Sequence, residues 1–302
     1  MNYTDLHCDT ALEMYLKRSG LRANSLRVDM EKAKVYDKYS QIFAIWSRNE
    51  VSDDENYEEF FKIREYFLEQ CAQNDIALCD TAQKYDEQSN RTRAILAVEG
   101  GKLLSDDITR LSVLRTHDVR FLTLMWNGLC AIGGAFNTDE GLTPFGRDVI
   151  RECENLGIIV DLSHSSDKTV ADVFELATKP LVATHSNARS VFDHKRNFTD
   201  EQFTEIKRRG GIVGISLCAP HISEGAVFVK DVVRHIEHYM ALGGENTVCL
   251  GCDLDGAPLP EDIQTVTDIA KIADELKRIG YNDNIIENIM HKNADNFIAH
   301  NL

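Results

Sequence analysis

Eight short apolar runs return along the chain with helical stretches between them. They are the segment around Tyr3 to His7, then YSQIFAIW, AILAVEG, VRFLTLMW, GIIVDLSH, LVATHS, GIVGISL and VCLGCD. Their hydrophobicity is continuous rather than alternating, as in strands covered on both faces, and regular strand-helix alternation implies a parallel sheet. Eight such strands predict an α/β fold of the (β/α)8 TIM barrel type, which commonly occupies about 250 residues as one unit. The chain has 302 residues, and no low-complexity linker or short-period repeat breaks it, so residues 1–302 are expected to form a single domain.

The stretches between the runs carry helix punctuation. In TPFGRDVIRECENLG, Thr143 can cap, Pro144 suits the first helical position and Gly157 can terminate. TDEQFTEIKRRGG sets Thr199 three residues before Gln202, a capping box, and closes on Gly210. FVKDVVRHIEHYMALGG lines Val229, Val232, Val233, Ile236, Tyr239 and Met240 along one face ahead of two glycines. From about Thr265 to Leu302, further helices follow the eighth run and are expected to close the outside of the barrel.

Charge narrows the partners. With 33 Lys and Arg against 49 Asp and Glu, the formal charge of −16 argues against nucleic acid or an anionic membrane, both of which need clustered basic groups. No basic stretch leads into an apolar one at the N-terminus, and no apolar run nears the roughly 20 residues that span a bilayer, so a cytoplasmic protein is expected. The eight cysteines are scattered, which favours reduced, buried thiols over a disulfide framework. Cys249 and Cys252 form a C-x-x-C with no second Cys or His pair, inside what reads as a buried strand; they are read as structural.

A barrel of this type keeps its chemistry at the C-terminal ends of its strands. Ligand-type residues stand at those ends: His7 and Asp9 after the first run, Glu99 after AILAV, His164 after GIIVDLS, His185 after LVAT, and Asp253 after VCLGC. In DLHCDT an extended backbone sends His7 and Asp9 to one side and Cys8 to the other, a chelating geometry. Any one of these residues is compatible with an ordinary rim role. All six around one opening, without a cation, would set like charges against one another at high cost. Imidazoles with carboxylates suit Zn(II) and tolerate Mn, Fe or Co. Five ligands exceed what one catalytic zinc takes and suit two metals sharing a carboxylate. Glu99 is the natural bridge, with His7 and Asp9 completing one site and His164 and His185 the other. A hydroxide between the two metals would be the nucleophile.

The motifs DLHCDT, VEGG, LTPFGRDVI, LGIIVDLSHSS, THSNARSV, KRNFTDEQ and GCDLDG, in this order and spacing, resemble the membrane (renal) dipeptidases and their soluble bacterial relatives. These are binuclear zinc enzymes of the metal-dependent hydrolase superfamily. The resemblance implies the same metal assignment, small dipeptide substrates that could include L-D pairs, and a homodimer. It also implies that Asp253 handles the substrate's amino group and proton transfer, and that Arg196 is an electrostatic contact to substrate. The chain departs from the family twice. Where the renal enzyme has a His after its fourth strand, this chain reads LTLMWNG, making Trp126 and Asn127 the candidate substrate contacts. Where that enzyme offers a Tyr after its seventh strand, SLCAPHIS supplies His221. The Gly-rich WNGLCAIGGAFNTDEG is a candidate cover for the site. Two other readings stay open: another amide, lactone or phosphoester hydrolase on the same barrel, and a catalytically silent, metal-containing peptide-binding protein.

Overall fold

The computed structural model describes residues 1–302. Its strands are β1 (Tyr3–Cys8), β2 (Tyr39–Trp46), β3 (Ala77–Leu78), β4 (Arg93–Glu99), β5 (Val119–Thr123), β6 (Ile159–Asp161), β7 (Val182–Ala183), β8 (Ile212–Ile215) and β9 (Val248–Leu250). All of them except β3 form a closed parallel barrel. It runs β1, β2, β4, β5, β6, β7, β8, β9 and returns to β1 through Asp5 opposite Leu250. Each apolar run named above supplies one barrel strand. The extra strand, β3, is a two-residue addition beside the start of β4, opposite Arg93 and Ala94, and is too short to leave a hydrophobic pattern.

The helices form where the sequence punctuates them. Thr143 accepts a hydrogen bond from the Gly146 amide at the start of Pro144–Leu156, and Gly157 ends that helix at φ 68°. Thr199 and Gln202 make the reciprocal capping box of Asp200–Arg208. Beyond that helix the Gly211 amide reaches the Ile206 carbonyl at 3.0 Å, with Gly210 left-handed between, a Schellman closure. On Val229–Ala241 the apolar face is buried, but it includes His235, which no hydrophobic count would select.

The barrel interior is filled by Leu6, Ile42, Ala44, Ile95, Ala97, Phe121, Ile159, Val182, Ile212 and Cys249, roughly one layer of side chains from every strand. Ala294, Phe297 and Ile298 belong to the same cluster. The last helix, Asn293–Asn301, therefore seals the floor of the barrel. This corrects the expectation that the C-terminal helices all pack outside. Ala270–Arg278 does lie outside, against Val229–Ala241, but an amphipathic pattern states that a face is buried without stating against what. The floor helix is fixed by Asp295, which accepts hydrogen bonds from Thr4 Oγ1 (2.7 Å) and Tyr85 Oη (2.5 Å) and pairs with Arg93 (3.3 Å). No helix is long and apolar enough to cross a membrane. Cys249 and Cys252 are free and buried, as expected of structural thiols.

Candidate metal centre at the barrel mouth

His7 reaches the mouth because β1 is irregular. Strict alternation would put Leu6 and His7 on opposite faces, but the register against β2 slips between Asp5 and Cys8, and both side chains enter the barrel. Asp9 occupies the N-cap position of the helix Thr10–Lys17 yet makes no capping bond, which leaves its carboxylate for the mouth. Glu99 ends the inward face of β4, after Arg93, Ile95 and Ala97. His164 and Asp253 stand in turns at φ 67° and 58°. A non-glycine residue in that region costs roughly 1 kcal/mol or more, a strain typical of functional positions.

Two buried carboxylates set these turns by the same device. Asp5 Oδ1 accepts the amides of His7 (3.0 Å) and, from the neighbouring chain segment, Cys252 (2.9 Å), and its other oxygen takes the Tyr3 hydroxyl. Asp161 Oδ1 accepts the amides of Ser163 (3.0 Å) and Thr184 (2.8 Å). Asp161 Oδ2 takes the hydroxyls of Thr123 and Thr184, both at 2.6 Å. Each therefore ties a histidine-bearing turn to the next strand.

The six strand-end residues converge. Glu99 Oε1 lies 2.9 Å from His164 Nε2 and 3.4 Å from His185 Nε2, while Oε2 lies 3.5 Å from His7 Nε2. His7 Nε2 is also 3.5 Å from Asp9 Oδ2 and 3.9 Å from Asp253 Oδ1. Three groups have all their ligand atoms within 4.8 Å of one another: His7, Asp9 and Glu99; Glu99, His164 and His185; and His7, His185 and Asp253.

The donor chemistry calls for cations. His164 Nδ1 faces the Trp126 carbonyl at 3.0 Å, which fixes its proton on Nδ1. The Thr184 hydroxyl gives its proton to Asp161 and so accepts from His185 Nδ1 at 2.8 Å. Both Nε2 lone pairs then point at each other, 3.0 Å apart, beside a carboxylate oxygen. His7 Nε2 and Asp9 Oδ1 are buried with no hydrogen-bond partner at all. An electrophile at each place removes both conflicts. Burial resists charge here, yet His7 holds Glu99 well below the usual carboxylate range, and Glu99 with Asp9 holds His7 well above the usual imidazole range. Burial, reinforced by Glu99, pushes the Asp9 and Asp253 carboxyls up. Burial and the Arg196 charge take His164 down to about 4, and burial takes His185 down as well, leaving neutral imidazoles.

A cavity of about 130 Å³ opens over Asp9, Glu99, His164 and Asp253, walled by Trp46, Trp126 and Leu12 on an apolar side and by Glu13 and Asp255 on an acidic one. Arg196 is buried, donates from Nη1 to Ser186 Oγ (2.9 Å) and leaves Nε without a partner. Its amide bonds His194 Nδ1, and the His194 ring lies 4.6 Å from that of His221. Asn127 and His221 do not line this cavity. Sequence reading missed Trp46, although it ends a strand and is register partner to Glu99. It also missed Gly256, where an added Cβ would sit 2.0 Å from Asp9 Oδ2 and 2.6 Å from Asp253 Oδ1. Only glycine lets that backbone pass the two carboxylates.

The profile of the membrane dipeptidases, peptidase family M19, matches residues 1–297. The chain belongs to this family. It is thereby a metallo-dipeptidase by family, and its relatives agree. It is 31% identical over 194 residues to an uncharacterized dipeptidase of Schizosaccharomyces pombe, covering 61% of this chain and 47% of that one. It is 29% identical over 221 residues to mouse (Mus musculus) dipeptidase 3, covering 68% and 44%. The chain thus spans under half the length of these two relatives, but 86% of a Klebsiella pneumoniae protein encoded in the pqqA 5′ region, at 30% identity over 72% of this chain. Among solved structures, the metallopeptidase described as dipeptidase AC superimposes with TM-score 0.93 at 25% identity, covering 100% of this chain and 98% of that one. A Rhodobacter sphaeroides metallopeptidase, bound to a phosphinate mimic of L-Ala-D-Ala, gives the same TM-score at 24% identity over 100% and 99% of the two chains.

Proposed function

We propose that this M19 metallo-dipeptidase hydrolyses the peptide bond of small dipeptides, L-D as well as L-L, with two zinc ions that share Glu99. One observation carries the reading: the two Glu99 oxygens face different ligand groups, His164 and His185 on one side and His7 on the other. His7, Asp9 and Glu99 would hold one ion, and Glu99, His164 and His185 the other. A nitrogen and oxygen donor set without thiolate suits zinc and tolerates Mn, Fe or Co.

When bound, such a pair supplies a water acidified toward neutrality and a Lewis acid for the scissile carbonyl. The remaining work falls to the chain. Asp253, with a carboxyl pushed up by burial, accepts a proton from the attacking water and returns it to the leaving amine. Arg196, with an unpartnered Nε, attracts the substrate carboxylate, and His221 beside His194, both kept neutral by burial and the Arg196 charge, adds uncharged hydrogen-bonding groups on that side. Trp126 covers the opposite side, and Asn127, whose Oδ1 is buried without a partner, offers a further polar contact. The dipeptide mimic bound by the Rhodobacter enzyme supports the substrate class. We also propose a cytoplasmic location, in keeping with eight free cysteines.

Metal analysis of the purified protein, paired with hydrolysis of L-L and L-D dipeptides, longer peptides, a lactone and a phosphotriester, tests this. Two metal ions per chain with turnover confined to dipeptides is expected. Two ions with only lactone or ester turnover moves the protein to a sister activity, and absence of metal refutes the ligand assignment.

A further inference from the structure

The cavity is asymmetric in a way that orients a dipeptide, and this reading rests on the function just proposed. Glu13 and Asp255 border the half of the mouth over the helix after β1, where Asp255 bonds Thr10, whereas Arg196 and His194 stand after β7 and His221 after β8, with Asp253, after β9, between the two groups. An ammonium is drawn to the acidic half and a carboxylate to Arg196, the one charged group of the other. The N-terminal residue of the substrate therefore sits in the first half, and its side chain meets whatever lines that half.

What lines it is an aromatic corner. Trp46 ends β2 opposite Glu99, Trp126 follows β5, and their rings pack 4.4 Å apart at 56°, with Leu12 completing the wall. The cavity volume is about 130 Å³, less than the roughly 150 Å³ of an engineered apolar cavity that takes up a single benzene. Ammonium, Cα and carbonyl consume much of that space. We infer that Trp46, Trp126 and Leu12 select the side chain of the N-terminal residue, admitting compact apolar ones such as alanine or valine. Aromatic side chains are excluded by volume, and acidic ones by desolvation against the indoles and by repulsion from Glu13 and Asp255.

The test is kcat/KM for two series, Xaa-Ala and Ala-Xaa, with Xaa as Ala, Val, Phe and Asp, on metal-loaded wild type and Trp126→Ala. Wild type is expected to prefer Ala-Ala and Val-Ala over Phe-Ala and Asp-Ala by about tenfold or more, the scale at which pocket volume discriminates. Trp126→Ala should narrow the Phe-Ala to Ala-Ala gap by about tenfold while leaving the order of the Ala-Xaa series in place. A merely structural tryptophan would depress both series alike, and that result, or a wild type indifferent to the N-terminal residue, overturns the inference while the dipeptidase reading stands. Should Trp126→Ala not fold, Trp126→Phe and Trp46→Phe are expected to move the same gap in the same direction by a smaller step, and no movement in either counts against the wall. Absence of any dipeptide turnover by the metal-loaded wild type overturns the parent reading and this inference with it.

Discussion

His164 and His185 present their Nε2 atoms to each other across 3.0 Å, with the Glu99 carboxylate touching both. Two lone pairs and an anion share one point in space, so the arrangement is stable only around an electrophile. Replacing Glu99 by Gln keeps the shape and removes the charge. Metal affinity should fall at least about a hundredfold at one site or both, with turnover lost in proportion. Titration against a chelator reads this directly, and full retention of two ions and of activity would sink the shared-carboxylate assignment.

Thr184 links Asp161 to His185 through one hydroxyl. Thr184→Val retains the volume and the backbone bond to Asp161 but leaves His185 Nδ1 without its acceptor. Metal affinity is expected to drop by about 10- to 100-fold with little change in the urea midpoint. An equal loss of stability and affinity would mean that the hydroxyl serves the fold rather than the imidazole.

At Gly256, alanine would drive a methyl group into Asp9 Oδ2 and Asp253 Oδ1. Gly256→Ala should retain native circular dichroism while displacing both carboxylates, so activity falls by about 100-fold or more, a cost typical of ångström-scale misplacement. Activity close to wild type would show that the turn yields without disturbing the site.

On the barrel floor, Asp295 gathers Thr4, Tyr85, Arg93 and His291. Asp295→Ala strands these partners and should cost about 3 kcal/mol in urea unfolding. The floor lies at the opposite end of the strands from the mouth, so kcat at 25 °C should persist in the folded fraction. Unchanged stability would remove the network from the account of closure.

His235 accepts from the Ala188 amide (3.1 Å) through Nδ1 and donates to the Ile222 carbonyl (3.0 Å) through Nε2, so only its neutral form fits. Burial lowers it from 6.5 to about 4. Above pH 6.5 neither the folded nor the unfolded chain carries this proton. Below it the unfolded chain takes up the proton first, and stability declines down to about pH 4, by on the order of 3 kcal/mol from this group. His235→Gln, which can keep one donor and one acceptor, should flatten that part of the pH profile. Urea melts at pH 7 and pH 4.5 on both proteins decide it, and parallel profiles would discharge His235 from the effect.

The barrel strands were legible because burial on both faces leaves an unmistakable apolar run, and the end of each run marks the rim. That is why His7, Glu99, His164, His185 and Asp253 could be picked out singly. Their supports were hidden by the same rule. Asp5 and Asp161 lie within or at the end of strands and look like isolated polar interruptions until the turn they pin is seen. The slip in β1 that admits both Leu6 and His7 leaves no trace in composition. Trp46 reads as wall because an aromatic residue at a strand end is indistinguishable from core, and His235 is invisible to a count of apolar positions. The floor helix was misplaced because periodicity carries no information about the surface it meets.

The closure of β1 onto β9 has a consequence in time. Asp5 pairs with Leu250, so the first strand has no partner on one edge until almost the whole barrel has been synthesised. At ribosomal rates of about 5 to 20 residues per second, that wait is roughly ten to fifty seconds. His7 and Asp9 ride on that strand and the turn after it, and of the six mouth residues only Asp253 arrives with β9. Completion of the mouth, on this topology, is a late event: the segment that closes the barrel is the one that delivers Asp253.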